Sequence, residues 1–356
     1  LIAAAVCACC SSTHAPGVGE RGEAPLDRGA FELVRESVEL IRAHALGASL
    51  VDWDEAERVE CAGLPAAAVR RAAWPAVAGL VARLDDPHAR FFDSDEVERW
   101  RQPSAAPQTS EAGPDSDKRA DASPGTERPD VPTRPAARRL ESDFGYVLVP
   151  SCNALRVEEL RDYALVLRRA VLEVARSDPR GWIVDLRFNG GGNVWPMLAG
   201  LRPLLGDGEA ARSVSAGGLA VRSGCDGGRV WLDQGRGEQV QLEIEPPAED
   251  RVLAAPRVAV LVHGWTMSSG ELVACAFLGR DGVRVFGEPT AGLTTATEFF
   301  PLSDGSLLVL PTSRMADRTG RVWSGPLAPD ELVTSVDWPS ASDGVAQSAL
   351  RWLRDD

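Results

Sequence analysis

Residues Trp182–Asn193 read WIVDLRFNGGGN, and residues Arg257–Glu271 read RVAVLVHGWTMSSGE. Each stretch opens with a short unbroken apolar run and closes in a turn of small residues. Such runs, bounded by Gly-rich turns, indicate strands buried on both faces. A helical pattern follows each turn, at Trp195–Leu205 and at Ser269–Leu278. Strand, turn and helix in repetition predict an α/β core. The pattern continues outward. Gly145–Pro150 (GYVLVP) reads as a strand, and a long helical pattern runs from Leu155 to about Ser177. Val283–Gly287 and Ser306–Pro311 read as further strands and Ala346–Leu353 as a C-terminal helix, while residues 206–250 are Gly-rich, with short strand-like pieces at Ala220–Arg222 and Val240–Ile244.

Upstream of this core the composition changes twice. Phe31, Val34, Val38 and Ile41 lie on one helical face, as do Trp74, Val77, Leu80, Val81 and Leu84, with Pro75 marking the start or a kink of the second helix. Residues 27–100 are therefore predicted to form a small helical subdomain, and 139–356 the α/β core. Between them, 101–138 is predicted to be a disordered loop: residues 102–137 hold seven prolines and almost no large apolar side chain to offset the entropy of ordering. Residues 1–26 read as the end of a signal peptide and a Ser/Pro/Gly tether. Val6-Cys7-Ala8-Cys9 approximates a lipobox, which predicts export to the periplasm or cell surface and a lipid anchor at Cys9 or Cys10.

The 356 residues carry a net charge of −14, which argues against nucleic acid as a partner, since phosphate recognition needs a basic face. Lys118 is the single lysine, so candidate lysine bases are nearly absent. Cys61, Cys152, Cys225 and Cys275 form no CxxC pair and read as isolated thiols. No HExxH or clustered carboxylates with ligand spacing occur, so neither a metal nor another cofactor is implied.

Two turns carry the chemistry. Three consecutive glycines, Gly190–Gly192, let backbone approach a ligand and direct N–H groups at it. The turn lacks the ending of a phosphate-binding P-loop. Ser268 stands at the start of a helix, where the dipole favours developing negative charge. Its plainer reading is a helix cap with Glu271 completing a capping box.

Taken together, IVDLRFNGGG, TMSSGE, FGEPTAGLTT (Phe286–Thr295) and the approach to Pro329-Asp330 resemble, in this order, the motifs of S41 peptidases, the family of carboxy-terminal processing proteases and the tricorn-type core. LDDPHARFF at 84–92 resembles the family's N-terminal histidine segment. The resemblance implies a crotonase/ClpP-like α/β core with a mixed sheet and flanking helices, and a serine peptidase cleaving polypeptides. Carried over, the nucleophile is Ser268, and the oxyanion donors are the N–H groups of Ser269 and of Gly191 or Gly192. The lysine base of tail-specific proteases falls on Leu293, which excludes a Ser–Lys dyad. The tricorn-type branch uses a histidine, here His88, whose imidazole can accept and return a proton near neutral pH. The residue that would orient it falls near Trp323, leaving Glu298, Asp317 and Glu331 as candidates. His263, five residues before Ser268, competes as base; His44 and His14 do not. About fifty residues separate Phe92 from Gly145, too few for a PDZ domain of roughly 80–100 residues. Two other functions share these parts: a catalytically inactive binding protein for a small apolar ligand or peptide, and an esterase using the same serine.

Overall fold

The computed structural model describes residues 29–65, 68–101, 132–141, 143–154, 156–254, 257–334 and 343–355. The expected leader with Cys9 and Cys10, and most of the Pro-rich segment with Lys118, lie outside these residues. The chain forms two compact units.

The larger unit comprises 102–212, 222–294 and 316–356. Its centre is a six-stranded sheet. In chain order the strands are β2 (Ala136–Leu140), β3 (Phe144–Leu148), β4 (Gly181–Asp185), β9 (Arg257–Val262), β10 (Val283–Gly287) and β13 (Glu331–Leu332). Their spatial order is β13-β10-β9-β4-β3-β2. All neighbours are parallel except β2, which pairs antiparallel with β3. β4 is buried along its whole length, as its apolar run requires. Ile183, Ala259, Leu261 and Phe286 pack beneath α8 (Gly344–Arg354), against Val345, Ala349 and Leu353. By alternation Trp182, Val184, Val258 and Val260 face the other way, and they too are buried. Helices α5 (Val157–Ala175), α6 (Val194–Leu205) and α7 (Ser269–Phe277) complete this unit's layers.

Residues 136–138 are a correction to the predicted loop. They begin β2, with Ala136 opposite Leu148 and Arg138 opposite Tyr146. AARRL shows no apolar alternation because only Leu140 is buried; backbone pairing, not burial, holds this edge strand. Residues 206–250 also hold more strand than expected. They contain β5 (Gly208–Ser215), β6 (Ala220–Asp226), β7 (Arg229–Asp233) and β8 (Glu238–Glu243), with β6, β7 and β8 paired antiparallel from Arg222 onward.

A buried charge network fixes the end of β4. Asp185 accepts from Arg187 Nε at 3.0 Å and from the Tyr146 hydroxyl at 2.8 Å, and Arg187 also reaches Asp343 at 2.9 Å. Asp343 in turn caps α8 by accepting from Ala346 N–H at 2.9 Å. Both carboxylates are fully buried, so removing either partner alone would cost about 3–5 kcal/mol. The strand end from which the glycine turn springs is thereby anchored.

The smaller unit comprises 1–101, 213–221 and 295–315. It holds α1 (Gly29–His44), α2 (Trp53–Ala62), α3 (Trp74–Ala82), β1 (Arg90–Phe92) and α4 (Ser94–Arg101). Pro75 sits in the first turn of α3, where its missing N–H costs nothing. This unit is larger than the helical segment read at 27–100. The hairpin β11 (Thr295–Pro301) and β12 (Leu307–Ala316) joins it, because Leu302, Leu308 and Leu310 pack with Leu33, Ile41, Val77 and Leu80. β12 pairs antiparallel with both β1 and β11. Local periodicity finds the helices but cannot show which later strand completes their core.

Candidate active site

Ser268 closes the turn after β9 and caps α7. Its backbone, at φ 53° and ψ −115°, occupies a region that residues with a Cβ avoid. Strain of this kind persists only where neighbours over-determine it, and here they do. Ser268 N–H donates to Glu271 Oε2 at 2.8 Å, and Ser268 C=O accepts from Leu272 N–H at 3.0 Å. Met267 N–H donates to Asn189 C=O at 2.9 Å, and the Thr266 hydroxyl donates to Leu186 C=O at 3.0 Å. Glu271 is fully buried and also accepts from the Thr290 hydroxyl and from Gly292 N–H at 2.9 Å. Burial pushes its carboxyl up to about 7, while these hydrogen bonds pull the other way.

The glycine turn lies against this serine. Gly191 has φ 101°, and a Cβ there would stand 3.0 Å from Ser268 Cβ and 3.4 Å from Ser269 N. Gly192 has φ 100°, and a Cβ there would stand 2.2 Å from Cys152 C=O. Only glycine fits this double approach. Cys152 N–H donates to Gly191 C=O at 3.2 Å, and Asn193 N–H donates to Cys152 C=O at 2.7 Å. Gly192 C=O instead accepts from the Ser269 hydroxyl at 2.5 Å, which ties the two turns together. Gly191 N–H donates to Asn189 Oδ1 at 3.0 Å. The N–H groups of Gly192 and Ser269 find no acceptor among the described residues. Of the three expected oxyanion donors, these two are therefore uncommitted, and Gly191 is held by its neighbour's amide.

His88 belongs to the smaller unit, in the turn before β1. Its backbone N–H donates to Asp86 Oδ1 at 2.8 Å, and its Nδ1 lies 2.7 Å from the Thr295 hydroxyl. Nε2 is buried and has no hydrogen-bond partner among the described residues. Burial holds the imidazole below its ordinary value, with Arg90 acting in the same direction and Asp86 against it. His263 is placed differently: its Nδ1 accepts from Trp265 N–H at 3.2 Å and its Nε2 faces Glu288 at 3.7 Å. The three carboxylates considered as orienting groups are engaged elsewhere. Glu298 accepts from Thr312 at 2.9 Å, Asp317 accepts from Thr319 N–H at 2.9 Å and Arg321 N–H at 3.1 Å, and Glu331 pairs with Arg284 at 3.2 Å. Trp323 carries an Arg321 guanidinium over its ring at 4.0 Å. Among the described residues no group of His, Cys, Asp and Glu could hold a metal, and no helix is long and apolar enough to cross a membrane.

A strained serine at a helix N-terminus, faced by a glycine turn, is the arrangement of an acyl-transfer site. The family model described as "Peptidase family S41" matches residues 143–333, more than half of the chain. The chain belongs to peptidase family S41. A nisin-resistance protein from Lactococcus lactis subsp. lactis is 29% identical over 194 residues, covering 54% of this chain and 55% of that protein. The chain thus spans about half the length of this curated relative. Among solved structures, a lipoprotein from Streptococcus agalactiae aligns over 94% of this chain and 99% of its own, with TM-score 0.64 and 21% identity. The photosystem II D1 C-terminal processing protease aligns over 86% of this chain and 93% of its own, with TM-score 0.59 and 17% identity. These two likenesses concern the fold.

Within the S41 core, the structure brings Ser268, Ser269, Gly191 and Gly192 together in one unit, while His88 stands in the other. Sequence reading passed over three supporting residues. Asn189 sits inside a quoted motif, and its alternate backbone and side-chain contacts were invisible there. Glu271 was visible as half of a capping box, but its reach to Thr290 and Gly292 was not. Thr295 ends the FGEPTAGLTT motif, yet nothing local links it to a histidine 207 residues away.

Proposed function

We propose that this chain is an exported serine endopeptidase. Ser268 Oγ attacks the scissile carbonyl while His88 Nε2 takes its proton. The carbonyl oxygen becomes an oxyanion, held by the N–H groups of Ser269 and of Gly192 or Gly191. Collapse of the intermediate expels the amine, which takes the proton from His88. Water then repeats the sequence on the acyl-enzyme and releases the acid. The observation that carries this reading is Ser268 itself, strained at φ 53° with a glycine turn packed against it. The uncommitted amides of Gly192 and Ser269 support it, and so does the unpartnered Nε2 of His88.

Export, and attachment through a lipid on Cys9 or Cys10, rests on the apolar start of the chain and its lipobox-like Val6-Cys7-Ala8-Cys9. The likeness to a protein described as a lipoprotein accords with it. The test of activity is cleavage of casein and of a mixed peptide library read by mass spectrometry. Wild type should cut, and Ser268→Ala and His88→Ala should not. Full turnover by Ser268→Ala would end the proposal. A mature N-terminal peptide without a lipid-modified cysteine would end the anchoring part alone.

A further inference from the structure

We infer that Thr295 is the positioning residue for His88, a neutral hydroxyl standing where related serine hydrolases place a carboxylate. The inference rests on His88 being the base. The Thr295 hydroxyl oxygen lies 2.7 Å from His88 Nδ1, and both residues belong to the smaller unit. A base must present Nε2 bare, so with His88 in that role the ring proton sits on Nδ1 and the Thr295 hydroxyl oxygen accepts it. Nε2 is the atom left without a partner. The side chain is placed by the ladder of β11 against β12, where Thr295 stands opposite Arg314. The His88 backbone is set separately, by Asp86. Ring orientation and tautomer therefore depend on one neutral contact, while the charged groups acting on the ring are Asp86 and Arg90.

A neutral acceptor has a consequence that a carboxylate would not. Accepting from Nδ1–H, it supports the tautomer with bare Nε2 without strongly favouring the imidazolium, and burial then keeps His88 available as a base at pH values below those usual for histidine. Loss of the hydroxyl removes an acceptor that binds the cationic ring more tightly than the neutral one. The base then titrates lower still and samples both tautomers.

The experiment uses the full chain with Thr295→Val, which keeps shape and removes the hydroxyl, and Thr295→Ser, which keeps the hydroxyl. Nitrogen NMR of His88, assigned among the four histidines by His88→Gln, should show Nδ1 protonated and Nε2 bare in wild type and in Thr295→Ser. Thr295→Val should show a mixture. With peptide substrate, Thr295→Val should lower kcat by about tenfold or more at unchanged KM, with the acid limb of the pH profile moved down, and Thr295→Ser should restore both. An unchanged tautomer in Thr295→Val, or wild-type turnover by Thr295→Val beside an inactive His88→Ala, would overturn the inference and leave His88 as the base. Full turnover by His88→Ala would remove the base assignment and this inference with it.

Discussion

The turn that carries Ser268 and the turn that carries His88 are built on opposite plans. Ser268 is locked by its neighbours: Glu271 on its N–H, Leu272 on its C=O, Asn189 on the preceding residue, and Gly191 against its Cβ. Among the described residues, His88 is held by a backbone hydrogen bond to Asp86 and a ring hydrogen bond to Thr295. A nucleophile held at an unfavourable φ needs a rigid surround, since any relaxation would withdraw its hydroxyl. A base that must accept and return a proton needs a defined tautomer and a free nitrogen, which the proposed Thr295 acceptor would supply. With the proposed roles, rigidity is concentrated on the residue that would form the covalent bond.

The most severe break in this comparison is chemical. Ser268→Ala should reduce peptide turnover by at least about 10⁴-fold, because the remaining amides can only bind the carbonyl. A melting temperature near that of wild type would show that the fold survived. His88→Ala should cost about 10²- to 10⁴-fold, the usual worth of a general base. Steady-state turnover of one identified peptide at several pH values measures both. A loss confined to KM in His88→Ala would place the imidazole in binding rather than proton transfer.

Gly191→Ala tests the rigid side from the partner turn. The new Cβ would stand 3.0 Å from Ser268 Cβ at a φ of 101°. The glycine turn must then move away from the serine, and the Gly192 amide moves with it. Loss of one oxyanion donor is worth about 10²- to 10³-fold in kcat. Thermal unfolding beside kcat separates displacement of the turn from collapse of the unit. Equal kcat in variant and wild type would mean the oxyanion is held elsewhere.

The same contrast explains what could be read in advance. WIVDL and RVAVLV announced strands because parallel strands covered on both faces need unbroken apolar runs, and β4 and β9 are that. The two turns were legible because glycine and small residues leave a local mark. β2 was not, since its residues are largely exposed and paired through backbone. The β5 to β8 region was only partly visible, because glycines and charges on the exposed face break the period-two pattern. Of the hairpin β11–β12, only Ser306–Pro311 in β12 was visible as strand, and its place in the helical unit was not, since pairing between distant segments leaves no local periodicity. Thr295 was hidden for the same reason. The expected carboxylate partner was sought by charge, and a hydroxyl carries none.

The smallest expected effect is on stability, through the residue that braces Ser268. Glu271 titrates near 7 in the folded chain, against 4.5 for an unperturbed glutamate. Its folded pKa is raised, so its contribution is fully present below pH 4.5 and is lost as pH rises through 7. Between those values the folded protein keeps a proton that the unfolded chain has released. By linkage the loss amounts to about 3 kcal/mol across that window. Glu271→Gln is neutral throughout and retains one oxygen for Ser268 N–H. Denaturant unfolding of both proteins at pH 5 and pH 8, compared as a difference, cancels the groups common to both, including His88 and His263. The variant should lose less stability than wild type on going to pH 8. Equal losses would show that burial does not raise this carboxyl, and the brace on Ser268 would then be a carboxylate throughout pH 5 to 8.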